Sequence, residues 1–174
     1  MKVDPYLIHR LFYPQVPLVM AAQYRGRVSA MPVVSYLSVS DSPPVVGVAC
    51  APQGFTCRLA LKARAFTLSV LDRSQEKAIS RLATLSGAKA KDKLKEAGLD
   101  HVTGKKVRAP VLAASLATLE CALKSTRKMG DHLMLFGEVE DALASDSFTD
   151  FWDYGRYRPL LYTGWKEGLT LFEP

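Results

Sequence analysis

The feature that most constrains this chain is a succession of β-type stretches separated by turns. Residues 16–23 and 28–36 are strand-like runs on either side of a turn at residues 24–27, a pattern typical of a β-hairpin. Further β-type runs cover residues 45–50, 66–71, 111–123, 132–143 and 160–171. Strands and helices do not alternate regularly, so the sequence predicts a mainly β fold with inserted helices. We expect an antiparallel β-barrel rather than a doubly wound sheet.

Helical patterns are confined to a few inserted segments. Residues 4–12 begin with Asp4 as an N-cap and Pro5 at the first helical position, and residues 55–63 and 74–86 have apolar residues at helical spacing. A short helix is also predicted at residues 148–154. Residues 40–44 and 124–131 are predicted to be loops, and the last run is predicted to be a final strand or a hairpin around Gly164 and Gly168.

The length and the cysteine pattern exclude several classes of protein. A chain of 174 residues predicts a single domain over residues 1–174. No apolar run reaches the ~18 residues of a membrane helix, and the N-terminus has no signal-peptide core, so we expect a soluble, cytoplasmic protein. The three cysteines include no C-x-x-C pair. We therefore expect neither a disulfide framework nor a metal site, and interpret the cysteines as packing residues.

The charge distribution favours an anionic small molecule over nucleic acid. The net charge is +6 and the pI about 9.3, which suits an anionic partner. Seven basic residues lie between positions 89 and 108, but no aromatic residue lies among them, whereas nucleic-acid binders interleave the two. A solvated helix and loop explains this segment, and a binding module for anions or nucleic acid stays as an alternative.

Three stretches have features that suit ligand binding. Pro32 lies inside a strand pattern, so we expect the ladder to break there and leave backbone groups for the polar edge of a flat heterocycle. Gly54 precedes a helix whose free N–H groups favour an anion, with Thr56 and Arg58 nearby. His132 opens a strand, where its side chain can face a cleft. A bulge at a barrel rim, a plain N-cap and a surface histidine explain the same three features without a ligand.

The order of these stretches resembles the flavin reductase-like family, which includes flavoredoxins. The resemblance rests on SAMPVVSYLSVSDSPPVVGVA (29–49), a loop with Phe-Thr before a helix, and AFTLSVL (65–71). It continues through GDHLMLFGEV (130–139) and RPLLYTG (158–164). The match runs from about Leu11 to Trp165. It implies an FMN-binding split β-barrel, antiparallel and Greek-key-like.

The resemblance also implies which residues bind FMN. The residues implied are Ser29 and Ala30 at the start of the first stretch; Met31, Pro32, Val33, Val34 and Ser35 along the ring; Ala49 and Cys50 at the strand end beneath it; Gln53, Gly54, Phe55 and Thr56 around the ribityl chain and phosphate; and Arg58 as a further cofactor-binding residue. The family often has a basic residue where this chain has Gln53 and Gly54, so Arg58, Lys62 or a residue of 124–128 would have to replace it. His132 would lie near the reactive face of the flavin.

The function implied is an oxidoreductase in which NADH or NADPH passes a hydride to FMN and electrons move onward to flavin, iron or a protein acceptor. The family implies a homodimer. A non-catalytic FMN-binding electron carrier, reduced by a partner protein, is the alternative.

Overall fold

The computed structural model describes residues 2–164 and 169–171, and most of its strands belong to one antiparallel sheet. The strands are β1 (Leu18–Tyr24), β2 (Arg27–Val33), β3 (Tyr36–Asp41), β4 (Pro44–Cys50), β5 (Ala65–Val70), β6 (His101–Thr103), β7 (Pro110–Leu112), β8 (Ala117–Met129), β9 (His132–Ala144), β10 (Leu160–Tyr162) and β11 (Leu169–Leu171). The helices are α1 (Phe55–Ala63), α2 (Glu76–Thr84) and α3 (Lys93–Ala97), with 3-10 helices at Pro5–Phe12 and Arg73–Gln75.

The large sheet is an open barrel. Its seven strands follow the order β2-β1-β5-β8-β9-β4-β3, and every neighbouring pair is antiparallel. The two edge strands, β2 and β3, are consecutive in the chain and are joined only by Val34 and Ser35. The sheet is therefore split between them, and the predicted mainly β split barrel with inserted helices is confirmed.

Strand β1 is buried on both faces, which explains why its sequence is continuously apolar. Leu18, Met20 and Ala22 belong to a core cluster that also contains residues of α1. Val19 and Ala21 belong to a second cluster, with residues of α2 and α3. Helix α1 therefore packs on one face of β1, and α2 and α3 cover the other. Among the described residues, no helix is long and apolar enough to cross a lipid bilayer.

Several local predictions are confirmed. The β1–β2 turn has Arg25 at φ 47° and Gly26 at φ 74°, as a two-residue hairpin turn requires. Helix α1 has the predicted bounds, and Asp4 caps the first 3-10 helix by accepting from Tyr6 N at 2.9 Å. The closing hairpin pairs β10 with β11. Trp165 and Gly168 lie outside the described residues.

The predicted ladder break at Pro32 is wrong. Strand β2 continues through Pro32, which pairs with Val19, and ends at Val33. An edge strand tolerates proline because one side of its ladder needs no donors, and β2 is an edge strand. The chain leaves regular pairing only at Val34 and Ser35.

Two other predictions are wrong because strand pairing and side-chain packing override the local pattern. Residues 124–129 form the end of β8, not a loop, and the turn to β9 consists of Gly130 and Asp131. Residues 148–154 contain turns and a bridge between Phe148 and Trp152 rather than a helix. The Trp152 ring packs against Phe148 and Tyr157, with centroids 5.2 and 4.6 Å apart. The loop predicted at residues 40–44 is shorter than expected, since only Ser42 and Pro43 separate β3 from β4.

Candidate functional site

A buried pair of hydroxyl groups joins two of the three stretches that the sequence singles out. Ser29 on β2 and Thr56 in the first turn of α1 are both buried, and their Oγ and Oγ1 atoms are 2.9 Å apart. The two residues are 27 positions apart in the chain, so only the packing of α1 against β1 and β2 brings them together. Ala30, the next residue of β2, is also fully buried.

The turn that leads into α1 ends at Gly54, two residues before Thr56. Gly54 N donates to Ala51 O at 2.9 Å, and Gly54 is the N-cap of α1. Gln53 is exposed, whereas Gly54 and Phe55 are half-buried. No side chain caps the helix, and its first turn contains no acidic residue. The N–H groups of this turn are therefore suited to an anion.

Two arginines flank Phe55, the first residue of α1. The guanidinium carbon of Arg27 lies 4.9 Å from the centroid of the Phe55 ring, and that of Arg58 lies 5.6 Å from it. Arg27 Nη2 donates to the carbonyls of Gly87, Ala88 and Ala90 at 3.1, 2.8 and 2.9 Å. These contacts fix the Arg27 side chain beside the N-terminus of α1 and place a positive charge there.

Two residues near this pair, Arg27 and Gly87, are not predicted from the sequence. A Cβ at Gly87 would lie 2.6 Å from Ser29 Oγ and 3.0 Å from the Phe55 ring. The segment after α2 therefore approaches the hydroxyl pair as closely as only glycine allows. No local signal marks either residue, because the approach of β2, α1 and residues 85–90 is set by the tertiary packing.

The other cations considered for the phosphate are placed differently. Lys62 lies near the end of α1 and lines a surface pocket of about 550 Å³ together with Arg25 and Arg108. Lys124 Nζ lies 3.3 Å from carboxylate oxygens of both Glu138 and Glu140. Lys62 is therefore about two turns from the start of the helix, and the charge of Lys124 is already balanced.

One lysine of the basic stretch is not solvated. Lys93 is buried, its Nζ donates to Ala30 O at 2.8 Å, and burial lowers the pKa of its ammonium group. The interpretation of residues 89–108 as a solvated segment is wrong at this position. Lys93 instead anchors α3 to β2, the strand that contributes Ser29.

The strand register places His132 at the same end of the sheet as the turn before α1. His132 is the first residue of β9, and its neighbour Leu133 pairs with Cys50, the last residue of β4. The ring is half-exposed and its Nδ1 lies 2.8 Å from Asp131 Oδ1. This hydrogen bond lowers the pKa of the Asp131 carboxyl group. His132 opens a strand as predicted, and its role in catalysis stays a prediction.

The remaining residues of the predicted site lie on β2, on the link between β2 and β3, and at the end of β4. Val33 is buried, Met31, Pro32, Val34 and Ala49 are half-buried, and Ser35 is exposed. Ala49 N donates to Ser35 O at 2.8 Å, so the end of β4 lies beside the link between β2 and β3. The Cys50 side chain is buried and its sulfur contacts Cys57. Within residues 2–164, no three His, Cys, Asp or Glu side chains are grouped closely enough to hold a metal ion.

Comparison with known proteins identifies the family. Residues 9–165 match the family described as Flavin reductase like domain. An uncharacterised protein of Aeropyrum pernix is 32% identical over 158 residues, which cover 90% of this chain and 60% of that protein. The chain therefore spans about 60% of the length of that relative.

Two solved structures share the whole fold. The FMN-binding protein of Thermus thermophilus, crystallised with 1-cyclohex-2-enone, has a TM-score of 0.82 and 28% identity, with 100% of this chain and 97% of that chain covered. The NADH:FAD oxidoreductase of Streptomyces globisporus has a TM-score of 0.82 and 27% identity, with 100% and 98% covered. This chain belongs to the flavin reductase-like family, and the resemblance found in the sequence is confirmed.

Proposed function

We propose that this protein is an FMN-dependent oxidoreductase that takes a hydride from NADH or NADPH and passes electrons to a flavin, ferric or protein acceptor. The contact between Ser29 and Thr56 at 2.9 Å carries the proposal, because it brings together two stretches that the family resemblance implies bind the flavin. Family membership and the names of the two solved relatives, one FMN-binding and one an NADH:FAD oxidoreductase, support it.

The residues at the start of α1 fit a flavin phosphate. The first-turn N–H groups, the buried Thr56 hydroxyl and the guanidinium groups of Arg27 and Arg58 are all donors, and no acid lies in that turn. Hydrogen bonds between such donors and a phosphate are charge-assisted and strong. We infer that Arg27 and Arg58 supply the charge that Gln53 and Gly54 lack.

A bound FMN would accept the hydride and pass the electrons on. The chain therefore has to position the cofactor and its reaction partners. In our proposal the residues Met31 to Val34, of which Val33 is buried and the other three are half-buried, lie along the ring. The backbone of Val34, rather than that of Pro32, is the part of this segment that leaves regular strand pairing. In our proposal its N–H and C=O groups hydrogen bond to the polar edge of the ring. His132, held by Asp131, orients the nicotinamide or moves a proton at its ring nitrogen.

Titration of the flavin-free protein with FMN, FAD and riboflavin tests the proposed site. Riboflavin lacks the phosphate, so the arginines and the helix N-terminus should favour FMN over riboflavin by about a hundredfold or more, since each charge-assisted bond contributes about 1.5–3 kcal/mol. FAD tests whether the site accepts a second phosphate and an adenosine. Equal affinities for FMN and riboflavin, or no binding of any flavin, would contradict the proposal.

Replacing His132 with alanine is expected to slow reduction of bound FMN by NADH or NADPH about a hundredfold, the lower end of the range for a lost proton-transfer group. Stopped-flow reduction under anaerobic conditions measures this rate. FMN affinity should not change, because His132 is half-exposed and its side-chain partner is Asp131. Unchanged reduction kinetics would remove His132 from the site.

We also propose that the protein is a homodimer. The 3-10 helix Pro5–Phe12 exposes Tyr6, Leu11 and Phe12 at 87%, 66% and 69% of their surfaces, and β3 exposes Leu37 and Val39. Exposed apolar side chains of this size, several of them on one short helix, are typical of an interaction surface. Sedimentation equilibrium should give twice the chain mass of 19.1 kDa, and Phe12→Ser should weaken association. A monomer at micromolar concentration would contradict the proposal.

A further inference from the structure

Two cysteines that are seven positions apart are in contact at the two ends of residues 51–56, which include residues of the proposed phosphate site. Cys50 ends β4 and Cys57 lies in the first turn of α1, and their sulfur atoms are 2.6 Å apart. Both side chains are buried, with 3% and 0% of their surfaces exposed. The distance is longer than the ~2.05 Å of a disulfide bond, so these are two free thiols in direct contact, with Cys50 as the donor and Cys57 as the acceptor.

The two thiols differ in their ease of ionisation. The hydrogen bond that Cys50 donates lowers the pKa of Cys57, and the position of Cys57 at a helix N-terminus also favours a thiolate. The same hydrogen bond, together with burial, raises the pKa of Cys50. Cys57 is therefore suited to attack an oxidant, and Cys50 remains a thiol in contact with it.

We propose that Cys50 and Cys57 are a redox-active dithiol, which a small hydroperoxide oxidises to a disulfide that ties the end of β4 to the first turn of α1. The Cys57 thiolate attacks the peroxide, forming an S–O bond and breaking the O–O bond, which releases water from hydrogen peroxide. The Cys50 sulfur then attacks the oxidised Cys57 sulfur, and a second water leaves as the S–S bond forms. Two thiols and one peroxide thus give one disulfide and two waters, and dithiothreitol reverses the change.

The disulfide would also act on the loop that it encloses. Residues 51–56 lie between the two cysteines and include Gln53, Gly54 and Thr56, which are residues of the proposed phosphate site. Because the sulfurs are already in contact, oxidation should fix this loop close to its present shape. This part of the inference rests on the proposed function, and it predicts FMN binding about threefold to tenfold tighter in the disulfide form, since a pre-organised loop loses less entropy on binding.

Cys121 is the matched control within the same chain. It is as deeply buried as Cys57, lies on β8, and its thiol donates a hydrogen bond to Leu119 O at 3.8 Å. Burial raises its pKa to about 12. It should therefore stay reduced while the other two cysteines react.

The test treats reduced full-length protein with hydrogen peroxide, followed by denaturation, alkylation and mass spectrometry. The protein should lose two of its three alkylatable thiols, yield a cross-linked Cys50–Cys57 peptide, and recover both thiols with dithiothreitol. Cys121→Ser should give the same cross-link. Cys50→Ser should leave Cys57 as a sulfenic acid that dimedone traps, and Cys57→Ser should give neither product. Three alkylatable thiols after treatment, or a cross-link involving Cys121, would overturn the proposal.

FMN affinity, measured in the dithiol and disulfide forms, distinguishes the thiol oxidation itself from its effect on FMN binding. Tighter FMN binding in the disulfide form supports the proposal that the disulfide fixes residues 51–56. A disulfide that leaves FMN affinity unchanged would overturn the proposed effect on the loop. A disulfide in a protein that binds no flavin in either form would support the thiol chemistry, overturn its effect on the cofactor, and refute the proposed function.

Discussion

Replacing Thr56 with valine is expected to weaken FMN binding about tenfold to a hundredfold, which corresponds to the loss of one hydrogen bond to a charged group at about 1.5–3 kcal/mol. Valine keeps the shape of threonine but removes the hydroxyl that contacts Ser29 at 2.9 Å. The fluorescence of free FMN, which falls on binding, gives the affinity. Riboflavin affinity should change far less, since in our proposal this hydroxyl addresses the phosphate.

The chain offers a matched control for this substitution. Ser69 Oγ and Thr118 Oγ1 form a second buried hydroxyl pair, 3.1 Å apart, on β5 and β8. Thr118→Val should lower the free energy of unfolding by about 1 kcal/mol and leave FMN affinity unchanged. Equal losses of FMN and riboflavin affinity in Thr56→Val would show that Thr56 acts through packing and not on the phosphate.

Replacing Glu120 with glutamine should lower the free energy of unfolding by about 3 kcal/mol, the largest change in stability that we expect from a single polar side chain. The buried Glu120 carboxylate accepts hydrogen bonds from the backbone N–H groups of Lys105, Lys106 and Val107 at 3.0, 2.8 and 2.9 Å. Glutamine presents one acceptor oxygen and turns an NH₂ group towards these donors. Urea denaturation at neutral pH measures the loss.

This stability difference should depend on pH. Burial opposes ionisation of Glu120, but the three N–H hydrogen bonds outweigh it and lower the pKa of the carboxyl group. A lowered pKa in the folded state stabilises the protein at pH values above the unfolded-state pKa of about 4.3. That contribution is lost as the pH falls through the lower folded-state pKa, so the gap between wild type and Glu120→Gln should narrow in acid.

Glu140→Gln is the control for Glu120. Glu140 is exposed, and its carboxylate lies 3.3 Å from Lys124 Nζ. Loss of this ion pair in Glu140→Gln should change the free energy of unfolding by less than about 1 kcal/mol, as for other surface ion pairs. A comparable loss in both variants, or a gap at Glu120 that does not change with pH, would contradict the assigned role.

Local sequence signals predicted those elements whose residues determine their own conformation. The β1–β2 turn needs positive φ at two positions, and Arg25-Gly26 supplies them. The bounds of α1 follow from Gly54 and the apolar spacing after it. The polar end of β8, residues 124–129, has no apolar alternation to mark it as a strand, and it is one only because β9 pairs with it.

The candidate site was predicted in parts, and only tertiary packing assembles it. Ser29 and Thr56 were identified through a family resemblance, but no local pattern predicts that their side chains meet. The contact of Arg27 with Phe55 and that of Cys50 with Cys57 arise because α1 folds back on β1 and β2 after the turn at residues 51–54. A spacing of seven residues does not predict a side-chain contact when the segment runs from the end of a strand through a turn into a helix.

The proposed reaction is tested most directly by the visible spectrum of the FMN-loaded protein under anaerobic conditions, recorded before and after adding NADH and then NADPH. We expect one of the two nucleotides to bleach the absorbance of the bound flavin, and that nucleotide is the hydride donor. Bound flavin that stays oxidised with both would contradict the reductase and favour an electron carrier that a partner protein reduces.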